Sequence, residues 1–151
     1  LRNSSELLAR IGVWSDVPEP QALTVEGIEA IVADYIQAAR NAITAGMDGV
    51  EIHAGNGYLL DQFINSASNR TDLYGGSIEN RARFLLEVVD GIADAVGARR
   101  VSVRLTPMGR FMGMGDDTPE ETFGHIAAGY VDYPALYANH GDAENISAMP
   151  S

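Results

Sequence analysis

Apolar positions recur at helical spacing in two long stretches of the chain. Between Thr24 and Gly46, the residues Ile28, Ile31, Val32, Tyr35, Ile36, Ala39 and Ile43 fall at i, i+3, i+4 and i+7 and form one stripe. Thr24 suits the N-cap, and Gly46 suits the position just past the helix. The second stretch runs from about Ser77 to Val96, with Ile78, Leu85, Val88, Val89, Ile92 and Val96 as its stripe and Gly97 as its stop. Two short β-branched runs, 47–53 and 101–105, predict strands, the second ended by Pro107. Leu59 to Ile64 predicts a short helix, while 66–76 and 108–117 are loops rich in glycine. Thr118-Pro119-Glu120-Glu121 has the form of a helix start, with two or three turns before Gly129. Residues 1–23 predict a loop with one short helix around Ser5–Arg10, ended by Pro18 and Pro20. Residues 129–151 show no periodicity and predict an irregular tail.

The order helix, strand, helix, strand, helix is a βαβ pattern, so the two strands should be parallel with a right-handed crossover. The expected fold class is α/β, a single domain over 1–151 with its βα units in 24–128. Two strands do not complete a sheet covered on both faces, and a full (β/α)8 barrel takes ~250 residues.

Composition narrows the partners. The 151 residues are 46 % apolar, enough for a core, and carry a net charge of −11. That acidity argues against nucleic acid or an anionic membrane surface. The absence of cysteine excludes disulfides, thiolate metal sites and a Cys nucleophile. No apolar run approaches the ~18 residues of a membrane span, and nothing has the form of a signal peptide, so a cytoplasmic location is expected. The first residue is Leu1, not Met, which suggests a piece of a longer chain or a processed one.

The candidate chemistry is concentrated between Val50 and Arg83. A strand runs straight into His53, Asn56 and Tyr58, at the strand end where α/β folds place their sites. His53 and Asn56 are hydrogen-bond donors suited to a carbonyl or nitro oxygen on which charge develops. Tyr58 is suited to protonating a carbanion-like carbon. The plainer alternative is that His53 and Asn56 satisfy loop backbone groups and that Tyr58 is a partly buried aromatic. Arg104 lies within the apolar strand Val-Ser-Val-Arg-Leu, where a buried guanidinium needs either a cofactor ring or phosphate, or a neighbouring Asp or Glu. Arg70, Asp72, Glu79, Arg81 and Arg83 surround Tyr74-Gly75-Gly76 and are expected to pin a loop to a helix start. The glycine pairs do not fit a nucleotide-loop spacing. His125 and His140 have no partner spacing that suggests a metal, and no metal site is expected.

Four segments together resemble the Old Yellow Enzyme family of flavin oxidoreductases. They are Asp-Gly-Val-Glu-Ile-His-Ala-Gly-Asn-Gly-Tyr-Leu-Leu-Asp-Gln-Phe at 48–63 and Asn-Arg-Thr-Asp-Leu-Tyr-Gly-Gly-Ser-Ile-Glu-Asn-Arg-Ala-Arg-Phe at 69–84, then Val-Arg-Leu-Thr-Pro at 103–107 and Met-Gly-Asp-Asp-Thr-Pro-Glu-Glu-Thr-Phe-Gly at 114–124. The resemblance covers about residues 18–128. It implies a (β/α)8 barrel holding FMN, reduced by NAD(P)H, that passes hydride to an electron-poor alkene (an enone) or a nitro compound. By motif, His53 and Asn56 would bind the activating oxygen, Tyr58 would donate the proton, and Arg104 would contact the flavin ring. The segment from Gly129 to Leu136 is similar to the family's C-terminal tail, so the expected architecture is a middle barrel segment joined to an end.

Two readings follow from this resemblance. One is an FMN- and NAD(P)H-dependent ene-reductase. The other is a truncated, non-catalytic remnant that binds no flavin alone and folds with a complementary chain or as a homo-oligomer. The second is motivated by the expectation that the apolar faces of strands 47–53 and 101–105 are left partly uncovered.

Overall fold

The computed structural model describes residues 21–68, 70–110, 113–129, 136–139 and 145–148. The helix expected near Ser5–Arg10, and His140, lie outside these residues. Helix α1 spans Val25–Thr44, strand β1 Val50–Ala54, α2 Leu59–Ile64, α3 Ile78–Val96, β2 Val101–Leu105 and α4 Pro119–Gly129, with a 3-10 turn at Ala98–Arg100 before β2. Strands β3, Leu136–Asn139, and β4, Asn145–Ala148, follow.

Local chemistry sets the helix ends. The Thr24 hydroxyl accepts a hydrogen bond from Gly27 N at 3.1 Å, and the Ser77 hydroxyl accepts one from Asn80 N at 3.3 Å. Each satisfies an amide that has no partner within its helix. Gly97 closes α3 with φ 95°, a conformation that a side chain would resist. Before α4, Thr118 holds the expected cap position, its carbonyl accepting from Thr122 N, while its own N–H donates to Asp116 Oδ1.

β1 pairs with β2 in parallel, as the βαβ order requires, with Val50 opposite Val101 and His53 opposite Arg104. β3 continues the sheet in parallel and β4 in antiparallel, in the order β1-β2-β3-β4. The expected irregular tail therefore contains two strands where it is described. Each is only four residues long, too short for an alternation to stand out, and strand pairing is a non-local interaction.

Strand parity gives the sheet two chemically distinct faces. Ile52, Ala54, Val101, Val103 and Leu105 are all buried and belong to the same core as Phe84, Leu85, Val88, Val89 and Ile92 of α3. α1 packs along α3, burying Ile28 and Ala39. Phe63, Tyr74 and Phe84 meet edge to face, with ring centroids 4.9 to 6.4 Å apart. The opposite face carries Glu51, His53, Ser102 and Arg104, none of them buried. This corrects the expectation of uncovered apolar strand faces: the apolar positions point at the helices, and the open face is polar.

Candidate functional site

β1 delivers its last open-face side chain, His53, to the C-terminal end of the sheet. The chain then turns through Gly55, Asn56 and Gly57 into α2, for which Tyr58 is the N-cap residue. A Cβ on Gly55 would lie 2.8 Å from both Oγ1 and Cγ2 of Thr106, so only glycine lets the end of β1 approach the residue after β2 this closely. Asn56 adopts φ 56°, the one non-glycine residue at positive φ among the described residues. Asparagine tolerates that region better than most residues, and the conformation persists only where the surroundings enforce it.

Those surroundings are explicit. Asn56 N donates to Thr106 Oγ1 at 2.9 Å, Gly57 N to Asp61 Oδ2 at 2.8 Å, and Tyr58 N to the Gly55 carbonyl at 3.2 Å. Gln62 Nε2 donates to the Gly57 carbonyl at 2.7 Å. The Tyr58 ring lies against His53, with centroids 5.1 Å apart and planes tilted by 53°. Tyr58 is 45 % exposed, which leaves part of the residue open to solvent. His53, Asn56 and Tyr58 are thus brought to one strand end, as the sequence predicts.

Arg104 stands beside His53 in register, on the same open face. It is not buried: its side chain is 44 % exposed and its Nε donates to Glu51 Oε1 at 3.0 Å. The expectation of a guanidinium inside an apolar strand is corrected by parity, since in Val-Ser-Val-Arg-Leu the residues Ser102 and Arg104 share the outward side. The neighbouring carboxylate expected as the alternative partner is Glu51.

The charged run around Tyr74-Gly75-Gly76 is a structural clamp. Arg70 pairs with Asp72 and also donates to the Leu23 carbonyl. Arg83 donates to the Leu73 carbonyl and to Asn80 Oδ1. Arg81 is buried and donates to the carbonyls of Ile64 and Gly76, to Asp116 Oδ2 at 2.6 Å and to Thr122 Oγ1. Burial alone would push the Asp116 carboxyl up. The hydrogen bonds from Arg81, Thr118 N and Thr122 outweigh it and hold the group below the ordinary carboxylate range. Tyr74 donates its hydroxyl to Glu87 at 2.9 Å, and burial together with that carboxylate pushes the phenol up to about 12.

Three residues of this framework, Asp61, Thr106 and Asp116, are not singled out by the sequence pattern. Asp61 lies in the apolar run Leu-Leu-Asp-Gln-Phe-Ile and is only 2 % exposed, and a carboxylate on the core-facing side of a short helix is itself a signal. Burial pushes its carboxyl up, against the lowering effects of Gly57 N, Asn65 and His53. His125 lies on α4, and among the described residues no group of three or more His, Cys, Asp or Glu side chains is placed to hold a metal ion. No helix among them is long and apolar enough to cross a membrane.

Comparison with known proteins fits this geometry. The model of the NADH:flavin oxidoreductase / NADH oxidase family matches residues 4–144. The flavin oxidoreductase hxnT of Emericella nidulans is 46 % identical over 123 residues, 81 % of this chain and 31 % of that protein. A probable flavin mononucleotide-dependent alkene reductase of Leishmania infantum is 49 % identical over 121 residues, 80 % of this chain and 33 % of that protein. The crystal structure of Old Yellow Enzyme from Pichia sp. AKU4542 superimposes with a TM-score of 0.70 at 49 % identity, covering 83 % of this chain and 33 % of that one. The chain spans about a third of the length of each of these proteins, and its α/β units correspond to part of their barrel. With its strand-end His53, Asn56 and Tyr58 and the four matching segments, the chain belongs to the NADH:flavin oxidoreductase / NADH oxidase family, the family of the Old Yellow Enzymes.

Proposed function

We propose that this chain supplies the oxygen-binding and proton-donating side of an FMN-dependent, NAD(P)H-consuming ene-reductase site, acting on an electron-poor alkene or a nitro compound. The observation that carries this reading is the gathering of His53, Asn56 and Tyr58 at one strand end, with Arg104 in register beside His53 on the same polar face. That face fits a flavin in its donor chemistry. Arg104 presents a guanidinium there, able to donate to the oxygen and nitrogen acceptors along a flavin ring edge, and Ser102 adds a hydroxyl. When bound, FMN would accept hydride from NAD(P)H and deliver it to the substrate carbon.

The chain's own residues do the rest. His53 and Asn56 donate to the carbonyl or nitro oxygen and favour the charge that develops on it. Tyr58, half exposed and held by its ring against His53, gives its phenolic proton to the neighbouring carbon. Glu51 fixes the Arg104 guanidinium at Nε. Tyr58→Phe keeps the ring and removes the transferable proton, so flavin reoxidation by an enone should fall ~10²–10⁴-fold while flavin reduction by NAD(P)H stays nearly unchanged. Stopped-flow measurement of the two half-reactions in the FMN-loaded protein tests this. Equal loss in both, or in neither, makes Tyr58 a structural aromatic.

One observation favours a second reading. β1, the strand that carries His53, is the edge of the sheet formed by the described residues. A parallel edge leaves backbone donors and acceptors open to a further strand. On this reading the site is completed by added barrel strands, from a longer chain or a complementary one, and the 151 residues alone hold FMN weakly or not at all. Stoichiometric FMN on a monomer of these residues after gel filtration would sink it.

A further inference from the structure

We propose that Asp61 is a positioning residue for the strand-end site: by holding Gly57 N it fixes the turn that aims Asn56 and Tyr58. The proposal rests on the role given above to those two side chains.

Asn56 at φ 56° lies in a region that side chains disfavour, so the local backbone does not hold the turn by itself. Tyr58 N donates to the Gly55 carbonyl across it, Gln62 Nε2 donates to the Gly57 carbonyl, and two side chains from outside accept from its amides. Thr106 accepts from Asn56 N at 2.9 Å, and Asp61 accepts from Gly57 N at 2.8 Å. Asp61 is in turn held by Asn65, whose Nδ2 donates to Asp61 Oδ1 at 2.8 Å and to the Asp61 carbonyl at 2.7 Å. The carboxyl thus sits between the turn and the end of α2, with each oxygen assigned a donor.

Packing alone does not account for an aspartate here. The neighbouring α2 residues Leu60, Phe63 and Ile64 are buried apolar side chains. A leucine at 61 would add to them without burying a polar group. What the carboxyl adds is a pair of acceptors, one of which reaches the amide between Asn56 and Tyr58. Losing it frees Gly57 N and removes one of the restraints on the disfavoured φ of Asn56, leaving Thr106 on Asn56 N, the Tyr58 N bond to the Gly55 carbonyl and Gln62 on the Gly57 carbonyl. The Asn56 amide and the Tyr58 phenol would shift relative to His53, which is fixed by β1. Misplacement of reacting groups by about 1 Å can cost ~10² in rate.

The test uses the FMN-loaded protein with Asp61→Leu and Asp61→Asn. Asparagine keeps one acceptor for Gly57 N but opposes its amide to that of Asn65, so it should be intermediate; it also carries the test if the leucine variant does not fold. The first readout is amide exchange at Gly57 by NMR, expected to quicken about 10-fold or more in the order wild type, Asn, Leu, with distant α3 amides unchanged. The second is the pair of half-reactions. Reoxidation by an enone and the affinity for a para-substituted phenol should fall in the same order, reoxidation by up to ~10²-fold in the leucine variant, with flavin reduction by NAD(P)H nearly unchanged. Wild-type phenol affinity and reoxidation in both variants would overturn the proposal and leave the functional reading standing. Parallel loss in both half-reactions would overturn it in favour of a general structural role. A wild-type protein that binds FMN but neither phenol nor enone would overturn the functional reading, and this proposal with it.

Discussion

Arg81→Met removes one half of a buried ion pair and should be among the most destabilising single changes in the described fold. Arg81 is 5 % exposed and Asp116 8 %. The substitution keeps an apolar stem of similar reach but deprives Asp116 of its nearest cation and the Ile64 and Gly76 carbonyls of a donor. Breaking a buried pair from one side costs about 3–5 kcal/mol. Asp116 would keep Ser66 N, Thr118 N and the Thr122 hydroxyl, so the lower end of that range is expected. Against a typical domain stability of ~5–15 kcal/mol this is a large fraction. With an m-value of roughly 2 kcal/mol per molar, the urea midpoint followed by circular dichroism should drop by about 1.5 M. The effect should depend on pH. In the native protein the Asp116 carboxyl is held below its ordinary value, so its contribution is present above about pH 4 and is lost as pH falls through the lowered native value. Without Arg81, a principal lowering cause is gone and the same carboxyl moves up from its native value, so it protonates earlier as pH falls and its isolation is relieved in acid. The gap between the two proteins should therefore be widest at neutral pH and narrow below the ordinary carboxylate range. Adding Asp116→Asn should recover part of the loss, since no lone charge then remains. A midpoint shift under about 0.5 M at pH 7, or a gap equally wide at pH 3, would refute the reasoning.

Gly55→Ala should displace the strand-end turn, because its Cβ would meet Thr106 at 2.8 Å. Stability should fall by about 1–3 kcal/mol in thermal melts, with enone turnover falling along with it, and a neutral alanine would show that β1 and Thr106 can separate freely. His53→Ala and Asn56→Ala should each weaken phenol binding to the FMN-loaded protein and slow enone-dependent reoxidation by ~10²–10³, and unchanged kinetics in both would remove them from the site.

The helical units were legible in the sequence because their signals are local. Thr24, Ser77 and Gly97 mark ends that the backbone needs, and the stripes of α1 and α3 face the core as their spacing demands. β2 was legible to the residue, since Pro107 follows it closely and four of its five residues have a clear apolar or small character. Arg104 shows where local reading stops short. Its alternation with Ser102 on the outward side is written in the sequence, but Glu51 as its partner is set by strand register across 53 residues. Asp116 is similar: its burial is acceptable only because Arg81, 35 residues away, reaches it. β3 and β4 depend wholly on pairing with what precedes them. The gathering of His53, Asn56 and Tyr58 was legible because all three lie within six residues at a strand end; the groups that hold Asn56 in its disfavoured conformation were not.

The way the turn is held also restricts what the site can do. A loop that stabilises a developing oxyanion often does so with backbone N–H groups. Here three amides of the turn are engaged: Asn56 N with Thr106, Gly57 N with Asp61, and Tyr58 N with the Gly55 carbonyl. On the proposed function, a substrate oxygen at this strand end takes its hydrogen bonds from the side chains of His53 and Asn56. This makes the site sensitive to side-chain truncation in a way that a backbone oxyanion hole is not. It also separates the labour between the two faces of one strand. Ile52 and Ala54 anchor β1 to the helices, while Glu51 and His53 face the open side. Substitutions on the helix side should act through stability and, on the proposed function, those on the open side through ligand binding and proton delivery, with Asp61, Gln62 and Thr106 the side chains that bond the turn between them.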